Sequence, residues 1–197
     1  MIKRLLFTFH VIFWMSQFLQ AQHALLYGIF PVSNGRIIYE KTISVDSVSK
    51  DELFKRGKDW AATVYKAQKD TSQVENQEQG ILVYKGFVTA SFTKPKTSVA
   101  ADWYCWQTIN IVCSNNKAKI TITDLEQRSP SGYASINIVK IEDVKNKTDS
   151  LPKSAFFGKN NKERYWKTEL VTLKEIDNKI KALIASLEKA LKLNKAD

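Results

Sequence analysis

Histidine is nearly missing from this chain. Only two occur in 197 residues. His10 lies inside an N-terminal apolar run and His23 just beyond it. A folded body without imidazole excludes Ser-His-Asp and Cys-His nucleophilic sites, and histidine-based zinc sites with them. Cysteine is as scarce, with Cys105 and Cys113 alone. Two thiols without histidine make a poor metal site, so no metal is expected. The seven glycines form neither a phosphate loop nor a dinucleotide fingerprint, and no cofactor is expected. Carboxylates remain, and a glycosidase-type mechanism needs only two. Asp102, Asp124, Glu126, Glu142 and Asp143 are the candidates. Their spacing singles out no pair, so the expectation is a protein that is not an enzyme. Action on an envelope polymer through carboxylates is the alternative.

Long hydrophobic runs are absent too, with one exception. Leu5 to Leu19 is almost continuously apolar, follows the basic head Lys3-Arg4, and is closed by the small residue Ala21. A run of about 15 residues is short for a bilayer span and fits a cleaved secretory signal over residues 1–21. The mature protein would then begin near Gln22 and work in the periplasm, on the outer-membrane surface or outside the cell. No cysteine stands at the cleavage point, which argues against a bacterial lipoprotein.

The formal charge of +10 falls to +8 once Lys3 and Arg4 leave with the signal. The remainder is uneven. Residues 23–144 carry 15 basic and 13 acidic side chains, while residues 145–197 carry 13 and 7. A basic tail can meet anionic lipid, polysaccharide or an acidic protein, or it can simply be a solvated surface. Exported chains with paired cysteines invite a disulfide. If Cys105 and Cys113 share one strand, eight residues at about 3.3 Å each put them roughly 26 Å apart, beyond the reach of a bridge. Two free, partly buried thiols are expected.

The pattern along residues 22–142 is that of one α+β sheet domain. Arg36 to Val45 is β-branched and reads as a first strand. Ser49-Lys50-Asp51-Glu52 is a capping box: the Ser49 hydroxyl can accept from the Glu52 amide, and Glu52 can reach back to the Ser49 amide. The helix it opens keeps Leu53, Phe54, Gly57, Trp60, Ala61, Val64 and Tyr65 on one face. Gly57 there predicts a close helix–sheet contact. Residues 72–78 can form a short edge strand, and residues 80–92 a long strand with a kink at Gly86. Residues 103–113 and 117–125 form a hairpin turning at Asn115-Asn116. Residues 126–132 read as a turn and residues 133–141 as a further strand. Residues 143–167 are polar and read as a flexible connection. Residues 168–197 then hold a C-terminal amphipathic helix, with the stripe Leu173, Ile176, Ile180, Leu183, Ile184, Leu187 and Leu191.

Strand, capped helix, antiparallel strands and final helix suit helices laid on one face of a sheet. Gly35-Arg-Ile-Ile-Tyr-Glu-Lys41, Val48-Ser-Lys-Asp-Glu-Leu-Phe54 with Trp60, Gln79-Gly-Ile81 and Lys119-Ile-Thr-Ile-Thr-Asp124 resemble a family of secreted Bacteroidetes proteins, the domain of unknown function 4468. The resemblance spans about residues 32–127. It implies a TATA-binding-protein-like fold and an exported location, and it brings no catalytic residue. Similar proteins often carry an acidic residue and glycine at the hairpin turn, where this chain has Asn115-Asn116.

Trp103-Tyr104-Cys105-Trp106 places three aromatics in four residues, after a loop with Lys94 and Lys96. Flat rings at a sheet edge can stack on sugars, so these five side chains are the candidate binding residues. The competing reading is that Trp103 or Trp106 caps the core. On a strand, Trp103 and Cys105 share one face while Tyr104 and Trp106 share the other. The partner expected is an envelope protein or glycan, with weak contact to an anionic membrane surface through the tail helix as a further possibility. Nucleic acid is not expected, because the sheet region is nearly neutral and the signal directs the chain away from the genome.

Overall fold

The computed structural model describes residues 28–66, 72–93, 100–128, 139–143 and 159–193. The expected signal over residues 1–21, Lys94 and Lys96 lie outside them. Two short strands, β1 (Val32–Ser33) and β2 (Arg36–Ile37), form a small hairpin. The main sheet then takes β3 (Tyr39–Ser44), β4 (Ser72–Asn76), β5 (Ile81–Thr93), β6 (Ala100–Ser114) and β7 (Lys117–Arg128) in the order β3-β7-β6-β5-β4, all antiparallel. β8 (Val139–Lys140) adds to the far end of β7. Helix α1 (Lys50–Tyr65) and the long helix α2 (Lys159–Lys192) pack on one face. The fold is α+β with the expected layers.

Alternation decides which side chains reach the helices. Leu82, Tyr84 and Ala90 from β5, Ile109, Ile111 and Cys113 from β6, and Ala118, Ile120 and Ile122 from β7 are buried on that face. The capped helix supplies Leu53, Phe54, Gly57, Trp60, Ala61 and Tyr65 from its apolar side. Gly57 sits where a Cβ would come 2.9 Å from Leu82 Cδ1, which is the close helix–sheet approach expected of it. All seven members of the C-terminal stripe are buried against this layer. Trp60 Nε1 donates to Ser186 Oγ at 3.0 Å, and Arg56 Nη1 donates to the Leu191 carbonyl at 2.8 Å. That contact satisfies one of the orphan acceptors at the end of α2 and sets a cation at its negative pole.

The capping box is half made. Ser49 Oγ accepts from the Glu52 amide at 3.2 Å, but the Glu52 carboxylate turns to Arg56 Nε at 2.7 Å. The β6–β7 turn replaces the missing half from a distance. Asn115 Oδ1 accepts from the Lys50 amide at 3.0 Å, and Asn116 Oδ1 from the Val48 amide at 3.1 Å. Asn116 also holds φ at 63°, in the left-handed region that asparagine tolerates. Asn116→Ala loses that hydrogen bond and adds backbone strain, and is expected to cost about 2–3 kcal/mol. Asn116→Gly keeps the backbone at ease and should cost about 1 kcal/mol. Urea unfolding of both variants checks the ranking.

Three elements differ from expectation. The first strand breaks at Ile38, whose amide donates to the Pro31 carbonyl at 3.0 Å, so Arg36–Ile37 joins the small hairpin instead of the sheet. β7 continues through Glu126–Arg128, where a turn was expected. Helix α2 begins at Lys159, inside the expected connection over 143–167. The residues from Lys159 to Arg164 are all polar, so they add no apolar periodicity to reveal the first turns. Of the expected strand over 133–141, Val139–Lys140 pairs with β7, and residues 133–138 lie outside the described residues.

Candidate functional site

The continuation of β7 depends on one residue. Between the pairs Thr108↔Thr123 and Trp106↔Glu126, β7 has two residues, Asp124 and Leu125, opposite the single Gln107 of β6. Asp124 occupies φ 56°, and its side chain is exposed and accepts from Thr123 Oγ1 at 3.1 Å. This is a β-bulge with aspartate in the left-handed position. It reverses the alternation: Ala118, Ile120 and Ile122 face the helices before it, and Leu125 and Gln127 face them after it. Glu126 and Arg128 are thereby delivered to the helix-free face. Asp124 shapes the strand, and Glu126 is bound to Arg128 Nη2 at 2.7 Å.

That rotation assembles an aromatic patch. Phe87 on β5 lies directly opposite Trp106 on β6, and Tyr104 lies opposite Arg128. The Phe87 ring centroid is 4.4 Å from that of Tyr104 and 5.2 Å from that of Trp106, with the planes tilted by 32° and 47°. Arg128 Cζ sits 4.5 Å above the Trp106 ring. Tilted ring pairs contribute about 0.5–1.5 kcal/mol beyond area burial, and a guanidinium over indole is among the stronger cation–π contacts. Trp106 is buried at 5% exposure beneath this cover, while Phe87 and Tyr104 are half-buried.

The expected site residues are therefore divided. Tyr104 and Trp106 share the patch, whereas Trp103 is on the helix side, opposite Ala90 and half-buried. Lys94 and Lys96 lie outside the described residues. Phe87 and Arg128 belong to the patch and escaped notice. Alternation along β5 could have found Phe87, but Arg128 lay beyond the expected end of its strand.

Among the described residues, shallow clefts open elsewhere on the surface. One of about 450 Å³ runs along the first turns of α1, past Ser49, Asp51, Lys55 and Lys58. Another of about 290 Å³ lies between β3 and α2, at Tyr39, Lys41, Lys181 and Ile184. Beside the second, Tyr39 Oη donates to the buried Asp177 Oδ1 at 2.7 Å. Burial, followed by the Asp177 carboxylate, pushes the Tyr39 hydroxyl pKa far up. Lys192 and Lys41 together hold the Glu188 carboxyl down to about 2. Lys181 pairs with Asp177 and Lys179 with Glu175, so much of the lysine face of α2 is neutralised along the helix itself. Among the described residues no cluster of His, Cys, Asp or Glu is arranged to hold a metal ion, and no helix is long and apolar enough to cross a membrane.

Cys105 and Cys113 form no disulfide; they lie on one strand, buried at 0% and 3% exposure. Burial pushes the Cys113 thiol up to about 11. A thiol reagent at pH 8 is expected to titrate neither cysteine in the native protein and both in guanidinium. Rapid native labelling of either would contradict this packing.

Comparison with known proteins places this arrangement. Residues 39–127 match the family model described as a domain of unknown function (DUF4468) with TBP-like fold. Among solved structures, a TBP-like protein from Parabacteroides distasonis superposes with a TM-score of 0.59 at 18% identity, covering 84% of this chain and 98% of its own. A DUF4468 family protein from Bacteroides ovatus gives 0.58 at 11% identity, covering 85% and 93%. Identities this low speak to fold alone. No curated protein matches the chain. With its half-capped helix, antiparallel sheet and closing helix, the chain has a TBP-like fold and over residues 39–127 resembles the DUF4468 domain.

Proposed function

We propose that this protein is an exported, non-catalytic recognition module that binds an envelope protein or glycan through the helix-free face of its sheet. The observation that carries the reading is the pair of half-buried rings Phe87 and Tyr104, set over the buried Trp106 on the sheet face opposite the core. Rings held by cross-strand packing present area without loss of side-chain freedom, and neighbouring Thr89 and Thr108 offer hydroxyls for a polar ligand. The N-terminal signal supports a location outside the cytoplasm, in the periplasm or beyond it.

The same face argues against nucleic acid. Two of its cations are matched by acids, Lys119 with Glu40 at 3.0 Å and Arg128 with Glu126, which reduces what it offers to a phosphate backbone. The membrane reading loses its main support, because the apolar stripe of α2 is spent on the core.

The test uses the mature protein as bait for native envelope extract and on glycan arrays. Tyr104→Ala is expected to reduce capture at least about tenfold, the loss of roughly 1.4 kcal/mol of contact, while the variant still folds with its melting temperature lowered by a few degrees. Equal capture by the variant would refute the assignment of this face. Turnover of an envelope polymer that disappears in Asp124→Asn would favour a carboxylate enzyme instead. Fractionation with N-terminal sequencing checks export, and the expected first residue is Gln22.

A further inference from the structure

Among the described residues, five polar atoms are buried on the helix side of the sheet without a hydrogen-bond partner: both amide atoms of Gln107, both of Gln127, and the Tyr65 hydroxyl. The glutamines are 0% exposed and Tyr65 is 5% exposed. Tyr65 closes α1, its ring edge-on to Trp60 and stacked on Tyr84 with centroids 6.2 Å apart. Gln107 lies opposite Gly86, one residue pair along from Tyr84 on the same face. Gln127 lies opposite Cys105, the next inward position of β6. Burial raises the Tyr65 hydroxyl to about 12, and the nearby Gln107 amide pulls the other way.

We infer that α1, β6 and β7 enclose a hydrated site in which ordered water bridges Gln107, Gln127 and Tyr65. Leaving so many polar atoms dry would cost a sum comparable to the whole stability of an ordinary domain. The guest's chemistry follows from its hosts. Two amides and a phenol present donors and acceptors together and carry no ionised group. They match a neutral molecule that both donates and accepts. Complete burial leaves no mouth for a substrate, and a buried water characteristically makes about three such bonds. The bulge at Asp124 is part of the device, because unbroken alternation would have aimed Gln127 at the other face.

A high-resolution crystal structure of the native protein tests this directly. Solvent density within about 2.7–3.2 Å of Gln107, Gln127 and Tyr65 together is the expected result. Two amides bonded to each other with no solvent between them, or an elongated density from a co-purified molecule, would overturn it. Thermal melting of Gln107→Met gives an independent reading. A bridged amide replaced by an apolar side chain of similar shape loses its water contacts, and the melting temperature drops by a few degrees. A dry amide removed in the same way relieves a penalty, and a rise in melting temperature would sink the inference.

Discussion

Gly80→Ala is expected to leave the protein barely folded, at a cost of about 3–5 kcal/mol out of the roughly 5–15 kcal/mol that holds an ordinary domain together. Gly80 takes φ +69° immediately before β5. Its carbonyl accepts from the Cys113 amide at 2.8 Å, and its amide donates to the Gln77 carbonyl at 3.1 Å. A Cβ there would stand 2.5 Å from the Cys113 carbonyl oxygen and 3.1 Å from Lys50 Cγ. The lysine stem can swing aside. The carbonyl is backbone of β6, and moving it disturbs the central strand pair and the buried Cys113 beside it. Gly35 separates the two sources of cost. It has φ +73° with nothing within 4 Å of its would-be Cβ, so Gly35→Ala carries the left-handed penalty alone, about 1–2 kcal/mol. Urea melts of the two variants measure the difference. Equal losses would mean that the Gly80 contact with β6 is unimportant and that backbone conformation explains both.

Features that rest on neighbours in sequence were legible, and features that rest on distant partners were not. The apolar face of α1 and the stripe of α2 repeat at helical period, so the buried side chains of both helices follow from spacing alone. The hairpin turn was readable because asparagine accepts positive φ. Its second task was hidden, because Asn115 Oδ1 serves an amide 65 residues away. The bulge was hidden for a different reason. Residues 118–122 alternate, and only the burial of Leu125 and Gln127 shows that the phase has shifted by one. With the phase unknown, Arg128 had no face assigned, and its place over Trp106 could not be anticipated. The division of Trp103 from Tyr104 and Trp106 needed nothing beyond strand geometry. That the latter pair would gather Phe87 required the β5–β6 register, which sets Phe87 opposite Trp106 and which no single strand reveals.

Deleting residues 159–197 should abolish folding of the remainder outright. The whole stripe from Leu173 to Leu191 is buried, and each side chain contributes about 1.5–3 kcal/mol on transfer from water. Seven of them amount to about 10–20 kcal/mol, an upper estimate that still matches or exceeds the entire stability of a domain this size. The deletion also strands polar groups that the helix satisfies. The Tyr39 hydroxyl loses Asp177, Trp60 Nε1 loses Ser186, and Arg56 loses the Leu191 carbonyl. A tail helix that served only to touch a membrane or an acidic partner would leave a folded domain behind, with its cooperative melt intact. Here the truncated chain is expected to show no cooperative transition, to bind a hydrophobic dye and to expose both thiols to rapid labelling. A sharp thermal transition in the truncated protein would show that the sheet and α1 hold together without the helix, and the lysine-bearing helix would then be available for work outside the core.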